Sequence, residues 1–442
     1  MSAKIEATII RKKYEDKDKD EILDELVDKI IELEKLKRKL KKYYNAHTPS
    51  SKQGFDKPEA KGLAVGRKAG KKYNHQRTTR KPDMPNTPPV TIIAECNPKT
   101  GNTNIIETGA YIEKIITDVK IEKIVTKYTF LEYKDLDTGE LFFAKHLDVP
   151  DTGYFGKTII ALANTLHFEY RVTTTSVTDF FTNICGIPMS APTAQELFKR
   201  GVDKTTHFYE KIKEELQKSR VVNGDETGSN QNGKSQWLWG FFTPFLALFV
   251  FNEKRGGNIV EEILKKFSGI LGCDGWKTYA VFAENKKILL QRCWAHLIRE
   301  MKKITKDNKE LEPAYIWICN MFEKIKHLRK IKSEKIRKKG YDKLIAEMDM
   351  WCQVYIVHDG MRKIVTKVKK GKHFWFTCVL HPEVEPTNNL AERGLRKFVV
   401  IRKIIGCLRS EQGKTNMQVM LSAFQTWRLQ GRNPYAELKA IL

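Results

Sequence analysis

Three carboxylates in the second half of the chain have the residue types and settings that metal-dependent phosphoryl transfer requires. Asp225 ends a short apolar run that starts at Val221, and Asp274 follows a second one, Ile270–Cys273. Glu392 lies in a stretch with helical character. Phosphoryl transfer with two Mg²⁺ ions needs hard oxygen ligands that converge from rigid elements. The alternative for Asp225 is structural: its side chain hydrogen-bonds its own turn.

The elements that position these carboxylates are predicted from neighbouring residues. Gly224 and Gly228 flank a turn after the first strand, and residues 236–242 form a second strand rich in aromatic and branched side chains. Pro386 and Thr387 mark the start of the helix that carries the glutamate. Carboxylates placed in this way have rigid supports, as a catalytic or metal site requires.

Five short sequence blocks contain or follow these carboxylates, in order, over roughly residues 150–442. The blocks are Gly224-Asp225-Glu226-Thr227, Asp274-Gly275, Cys293-Trp294-Ala295-His296 with Arg299, Asn388-Asn389-x-Ala391-Glu392-Arg393-x-x-Arg396 with Arg402-Lys403, and Gly431-Arg432-Asn433-Pro434-Tyr435-x-x-Leu438. The ordered set resembles the catalytic domain of IS66-family transposases, which belong to the DDE class and have an RNase H-like fold.

The resemblance implies that Asp225, Asp274 and Glu392 are the catalytic triad and the metal ligands. Mg²⁺ is the expected cofactor, and Mn²⁺ is expected to substitute because it shares the preference for oxygen ligands. The implied reaction is cleavage at the terminal inverted repeats of a transposon, followed by strand transfer into target DNA. Two alternatives stay open: a transposase-derived DNA-binding protein without catalysis, and an RNase H-like nuclease or resolvase that cuts without strand transfer.

Basic and polar residues near the carboxylates are candidates for contacting DNA. His296 and Arg299 lie three residues apart on one helical face, where they can reach a phosphate near the metals. Asn388 and Asn389 either cap the helix of Glu392 or orient its carboxylate. The other candidates for DNA binding are Arg393, Arg396, Arg402, Lys403, Lys199 and Arg200.

The charge of the chain indicates a polyanionic partner. The formal net charge is +25 over 442 residues, with a pI near 9.5, and nucleic acid is the first candidate. No apolar run reaches the length of a membrane-spanning helix, and the first residues lack the apolar segment of a signal peptide. We expect a cytoplasmic, nucleoid-associated protein of a prokaryotic cell, with no membrane partner.

The cysteines do not form a recognisable zinc or disulfide pattern. There are eight, and no two have C-x-x-C spacing, which argues against a disulfide scaffold and a four-cysteine site. The resemblance implies a zinc module around Cys96, but the partner cysteines are absent. Cys293 and His296 have C-x-x-H spacing without a second pair nearby, so zinc is not expected.

The chain divides into seven predicted segments. Residues 1–50 hold a leucine-rich helix, either a coiled coil joining two protomers or a helix packed on its own domain. The remaining segments are a basic flexible linker (51–90), a small β-rich, degenerate zinc-finger-like module (91–150), a helical region (151–218), the RNase H-like core (219–304 and 380–442) and a helical insertion within it (305–379). The resemblance favours a homo-oligomer, at least a dimer, and leaves open whether helper proteins of the same element are needed.

Within the helical region, Gly186 separates two predicted helices and Ser190 suits the N-cap of the second, over residues 192–200. A helix-turn-helix has this arrangement and would direct Lys199 and Arg200 towards DNA. The alternative is a helical hairpin that binds nothing. In the core, the pattern predicts an α/β fold with the element order β-β-β-α-β-α-β, as the resemblance implies.

Overall fold

Two short exposed strands precede the main part of the fold. The computed structural model describes residue 109, residue 114, residues 116–150 and residues 153–442, without the side chain of residue 307. Strand β1, Glu132–Lys134, pairs antiparallel with β2, Leu141–Phe143. The carboxylate of Asp135 accepts backbone N–H groups in the predicted turn between them.

The branched and aromatic residues over 121–130 predict another strand, but these residues have no regular structure. Ile124 is 89% exposed and Val125 is 82% exposed, so the apolar side chains of this stretch have no core to cover. Residues with a preference for strands form one only where a partner strand and a buried face are present. The predicted coiled coil, the basic linker and Cys96 lie outside the described residues.

Three helices cover residues 157–217, and the longest of them packs against the central sheet. They are α1, Lys157–Asn164, α2, Thr174–Asp179, and α3, Ala191–Gln217, and π-helical turns extend the first two. The Ser190 hydroxyl accepts the backbone N–H of Thr193, which confirms the predicted N-cap. Helix α3 is much longer than the predicted 192–200 because its buried stripe continues to Leu216. The hydroxyl of Tyr209 on this helix donates to the carbonyl of Phe249 in the sheet, at 3.1 Å.

A mixed five-stranded sheet forms the centre of the fold. Its strands are β3, Val221–Gln231, β4, Lys234–Phe242, β5, Ala247–Asn252, β6, Ile270–Cys273, and β7, Leu289–Arg292. Helix α4, Asn258–Ile263, connects β5 to β6, and α5, Lys277–Lys286, connects β6 to β7. In space the order is β5-β4-β3-β6-β7, with β3, β4 and β5 antiparallel and β6 parallel to both β3 and β7. The predicted β-β-β-α-β-α-β element order is therefore observed.

The first of these strands does not end at Asp225, so the turn predicted between Gly224 and Gly228 is wrong. Strand β3 continues to Gln231, and the turn falls at Asn232 and Gly233, whose φ angles are +47° and +80°. Two residues in this conformation close a tight hairpin, and Asn-Gly is the sequence pair that favours it. The long pairing with β4 holds glycines 224 and 228 in extended backbone.

A second hydrophobic cluster joins the predicted helical insertion, residues 305–379, to the helix before it and to Ile270 of β6. The preceding helix is α6, Trp294–Asp307. The following helices are α7, Glu312–Leu328, α8, Glu334–Tyr355, α9, Asp359–Lys370, and α10, Thr377–Leu380, with 3₁₀ turns at Lys309–Leu311 and Lys372–Trp375. Trp351 and Trp375 are fully buried in this cluster. Trp317 is half-buried, and its indole N–H donates to Glu347 at 3.1 Å.

Three helices complete the fold: α11, Asn389–Ile405, α12, Glu411–Leu429, and α13, Pro434–Ile441. The hydroxyls of Ser422 and Thr426 on α12 accept backbone N–H groups of β5, so this helix lies directly on the sheet. One hydrophobic cluster joins α1–α3, the sheet and α11–α13. Among residues 116–150 and 153–442, no helix is long and apolar enough to cross a membrane.

Candidate functional site

Asp225 lies on β3, and Asp274 directly follows β6, the neighbouring parallel strand. The register pairs Asn223 of β3 with Gly272 of β6, and each aspartate is two residues further along its strand direction. Because side chains alternate along a strand, residues two apart share a face. Both aspartates are half-buried. The sheet register therefore brings two carboxylates from distant parts of the sequence side by side.

The environment of Asp225 disfavours its charged form. Burial, first, and then the charges of Glu226, Asp274 and Glu392 raise the pKa of Asp225 to about 8. A backbone N–H, that of Glu226, donates to the Asp225 carboxylate at 3.0 Å and opposes this shift. Several carboxylates that crowd one buried position repel one another unless a cation joins them. Such a perturbed carboxyl is typical of a functional site.

Glu392 lies in the first turn of α11, close enough for its charge to contribute to the raised pKa of Asp225. The helix begins at Asn389 rather than at the predicted Pro386–Thr387. Asn388, directly before it, is buried, and its side chain does not cap the helix. Instead, its amide donates to the carbonyl oxygen of Gly224 at 2.8 Å, and its Oδ1 accepts from Asn223 at 2.9 Å. Asn388 thus joins α11 to β3 beside Asp225.

The segment between β7 and α6 also contacts the region in which Asn388 joins α11 to β3. The backbone N–H of Cys293 donates to the carbonyl of Cys273, next to Asp274, at 2.9 Å. The backbone N–H of Asn388 in turn donates to the Cys293 sulfur at 3.1 Å. Burial raises the pKa of the Cys293 thiol to about 11. Strands β3 and β6 and helices α6 and α11 are therefore connected within one small region.

His296 and Arg299 of α6 face Glu392, as the predicted helical spacing requires. Arg299 forms an ion pair with the Glu392 Oε1 at 2.8 Å, and the His296 Nδ1 lies 3.6 Å from the same oxygen. Burial, followed by the charge of Arg299, lowers the pKa of His296. Both side chains are partly exposed and present basic groups beside the carboxylates.

Glu226 points to the opposite face of β3, as strand alternation predicts. Its side chain is 1% exposed, and it binds Arg255 at 2.6 Å and the Tyr279 hydroxyl at 3.0 Å. The Arg255 guanidinium lies between the rings of Trp237 and Trp276, 4.6 and 4.5 Å from their centroids. The sequence pattern did not identify this cluster. It supports the site because the backbone N–H of Trp276 donates to the Asp274 carboxylate at 2.8 Å.

Lys367 is a second residue that the sequence pattern missed. It belongs to α9 of the insertion, and its ammonium binds Glu300 at 2.9 Å. A methyl group at Gly275, the residue after Asp274, would lie 2.6 Å from the Lys367 Nζ. The insertion therefore places a cation against the loop of Asp274. Nothing in the lysine-rich pattern of α9 distinguishes this lysine from its neighbours.

The other predicted DNA-binding residues occupy three different settings. Arg393, Arg396 and Lys403 are exposed on α11, and Asn389 is half-buried at its first position. Arg402 is turned inward, where its guanidinium binds the carbonyl of Gly228 and the hydroxyl of Thr227 at 3.3 Å. Lys199 is exposed on α3, whereas Arg200 of the same helix forms an ion pair with Glu196 at 3.3 Å.

The part of the chain that contains this site matches a known protein family. The model of the family described as "Transposase IS66 family" matches residues 152–416, more than half of the chain. The chain belongs to the IS66 transposase family. The match contains Asp225, Asp274 and Glu392, the helical insertion and the four connected elements β3, β6, α6 and α11.

Two curated relatives of this IS66-family chain come from Sinorhizobium fredii (strain NBRC 101917 / NGR234). The uncharacterized protein y4qI is 22% identical over 255 residues, which cover 50% of this chain and 47% of the relative. The uncharacterized protein y4jD is 21% identical over 221 residues, which cover 46% of this chain and 43% of the relative. The chain therefore spans less than half the length of the curated relatives it matches.

Proposed function

We propose that the protein is a DNA transposase that cleaves phosphodiester bonds at transposon ends and transfers the strand into target DNA. The observation that carries the proposal is the convergence of β3, β6 and the start of α11, the elements that position Asp225, Asp274 and Glu392. Asp225 lies on β3 and Asp274 directly follows the parallel strand β6. Asn388 ties the helix of Glu392 to β3. The family match supports the same reaction class.

The residues present fit a divalent metal with oxygen ligands. The charges of Asp274 and Glu392 contribute to raising the pKa of Asp225 to about 8, and a bound cation would remove this repulsion. Asp225, Asp274 and Glu392 would hold Mg²⁺, or Mn²⁺ in its place. The chemistry that Mg²⁺ supplies at such a cluster is activation of a water or a DNA 3′-hydroxyl and stabilisation of the leaving oxygen.

The protein's own groups would orient the carboxylates and the DNA. Asn388 fixes the start of α11, and Arg299 holds the Glu392 carboxylate from the side of α6. His296 and the exposed Arg393 and Arg396 are candidates for phosphate contacts next to the cleavage site. The strand order β5-β4-β3-β6-β7, with α4 and α5 as connections, supports an RNase H-like core. We further propose that the active form is at least a dimer and acts on terminal inverted repeats.

The test is Mg²⁺-dependent cleavage of DNA that carries the ends of the element. Asp225→Asn, Asp274→Asn and Glu392→Gln should each lower cleavage roughly 100-fold or more while DNA binding is retained. Asp203→Asn, an exposed carboxylate on α3, is the matched control and should cleave like the wild type.

Three results would contradict the proposal. Cleavage that persists in all three variants would exclude this triad. Cleavage that prefers branched DNA over the terminal repeats would favour a nuclease or resolvase. A wild-type protein that binds the ends without cutting them, with or without other proteins of the element, would favour a DNA-binding role.

A further inference from the structure

Three side chains with metal-ligating atoms meet where α6 and α11 begin. The Cys293 sulfur, a His296 ring nitrogen and a Glu392 carboxylate oxygen all lie within 4.8 Å of one another. In the sequence only the Cys-x-x-His spacing is visible, and it lacks further ligands. The fold supplies the third ligand from a helix nearly one hundred residues later in the chain.

The separations suit a tetrahedral ion. Zinc binds imidazole nitrogen and carboxylate oxygen at about 2.0–2.2 Å, so tetrahedral geometry puts these two atoms about 3.4 Å apart. The His296 Nδ1 and the Glu392 Oε1 are 3.6 Å apart. Small side-chain rotations would bring the Cys293 sulfur into the same shell. Three protein ligands leave one position for water, as in many zinc sites.

Two further observations favour a bound cation, which would replace the Arg299 guanidinium at the Glu392 Oε1. The His296 Nδ1 is buried and has no hydrogen-bond partner within residues 116–150 and 153–442. A buried ring nitrogen without a partner is costly unless something binds it. The backbone N–H of Asn388 donates to the Cys293 sulfur at 3.1 Å, and a hydrogen bond of this kind stabilises a thiolate.

We propose that Cys293, His296 and Glu392 form a site for a borderline-soft divalent cation of the Zn²⁺ class, and that filling it withdraws Glu392 from Asp225 and Asp274. Thiolate and imidazole ligands select such a cation over Mg²⁺. On binding, the Cys293 S–H bond is replaced by a sulfur–metal bond and the proton leaves to solvent. The binding site stands by itself, whereas its inhibitory effect rests on the proposed function.

The binding test uses Co²⁺ as a spectroscopic probe with the full-length protein, after removal of metals by a chelator. Wild type should show thiolate-to-cobalt charge-transfer absorption that Zn²⁺ abolishes. Cys293→Ser should lose this absorption, and His296→Ala and Glu392→Gln should each weaken Zn²⁺ affinity at least about tenfold. Asp225→Asn and Cys185→Ser are controls that should keep the wild-type spectrum and affinity. Thermal melts would establish that each variant is folded.

The inhibition test compares Zn²⁺ titrations of Mg²⁺-dependent cleavage, each normalised to the variant's own activity without Zn²⁺. The zinc concentration for half-inhibition should rise at least about tenfold in Cys293→Ser. Equal zinc sensitivity in wild type and Cys293→Ser would overturn the inhibitory role. Absence of the cobalt band in wild type, or its persistence in His296→Ala and Glu392→Gln with unchanged affinity, would overturn the site. If no cleavage is seen at all, the proposed function fails and the cobalt spectra still decide the cation site.

Discussion

The side-chain amide of Asn388 donates a hydrogen bond to the carbonyl oxygen of Gly224 at 2.8 Å, and this contact joins the helix of Glu392 to the strand of Asp225. Asn388 is 1% exposed, so its bonds form away from water. A lost bond at such a position costs more than a surface bond because the remaining group stays unsatisfied. One side chain therefore controls both local stability and the spacing of two proposed catalytic residues.

We expect Asn388→Ala to lower the free energy of unfolding by about 1–3 kcal/mol, since it leaves the Gly224 carbonyl and the Asn223 amide without this partner. Cleavage by the folded variant should also fall, because Glu392 is no longer held against β3. Urea unfolding and cleavage assays measure the two effects. Asn389→Ala is the stability control, with an expected change below about 0.5 kcal/mol. Wild-type stability in Asn388→Ala would contradict this role.

The raised pKa of Asp225 has a defined consequence for stability. The unfolded chain ionises this carboxyl at its ordinary value of 3.8, whereas in the fold its pKa is about 8. Between these values the folded state binds more protons, so the fold loses stability as the pH rises, and the loss levels off above about 8. Asp225→Asn removes this contribution.

Without divalent metal, we therefore expect Asp225→Asn to be more stable than wild type at alkaline pH by about 1–2 kcal/mol, with a smaller difference near pH 4. Urea unfolding across this range measures the difference. Asp203→Asn, exposed on α3, should show none. Mg²⁺ should stabilise wild type and not Asp225→Asn, because a ligand that binds only the fold shifts the equilibrium towards it. A variant less stable than wild type at alkaline pH would refute this account.

Local sequence patterns predicted some elements and failed at others for physical reasons. The apolar run Ile270–Cys273 predicts a strand that ends before Asp274. The structure has that strand, and its four residues are all buried. The Gly224 and Gly228 pattern predicted a turn that is absent, because pairing with β4 over the full length of β3 outweighs two glycines. Long-range pairing of this kind is not visible in a local window.

The candidate site, like the fold, is only partly predictable from the sequence. The three carboxylates are predicted from apolar runs, a helix position and the ordered blocks, although Asp225 lies within β3 rather than at its end. Arg255 and Lys367 were not, since each approaches the site through tertiary packing from a segment with no distinctive pattern. Arg402 shared its pattern with the exposed arginines of α11, and only its position on the helix turned it towards β3.

The Glu226–Arg255 pair should be strongly coupled, because the Glu226 side chain is 1% exposed and burial raises its pKa. Arg255→Met removes the cation that offsets this burial. A double-mutant cycle of Arg255→Met with Glu226→Gln should give a coupling energy of about 1–3 kcal/mol in urea unfolding. The same cycle with Lys254→Met, an exposed neighbour, should give a value near zero. Equal values from the two cycles would exclude a specific pair.

The arginines of α11 should separate into a structural and a DNA-binding group. Arg402 binds the carbonyl of Gly228, so Arg402→Ala should lower the free energy of unfolding by about 1–2 kcal/mol. Arg393→Ala and Arg396→Ala remove exposed side chains, so their stability should stay within about 0.5 kcal/mol of wild type.

Arg393→Ala and Arg396→Ala should each bind DNA more weakly than wild type, whatever the DNA sequence. A phosphate contact releases a counterion, so its loss should reduce the slope of log affinity against log salt by about 0.9. Binding titrations at several salt concentrations measure that slope. The assignment would be reversed if Arg393→Ala and Arg396→Ala kept the wild-type slope while a well-folded Arg402→Ala showed a reduced slope. In that case the inward contact of Arg402 must open when DNA binds, and its guanidinium must exchange the Gly228 carbonyl for a phosphate.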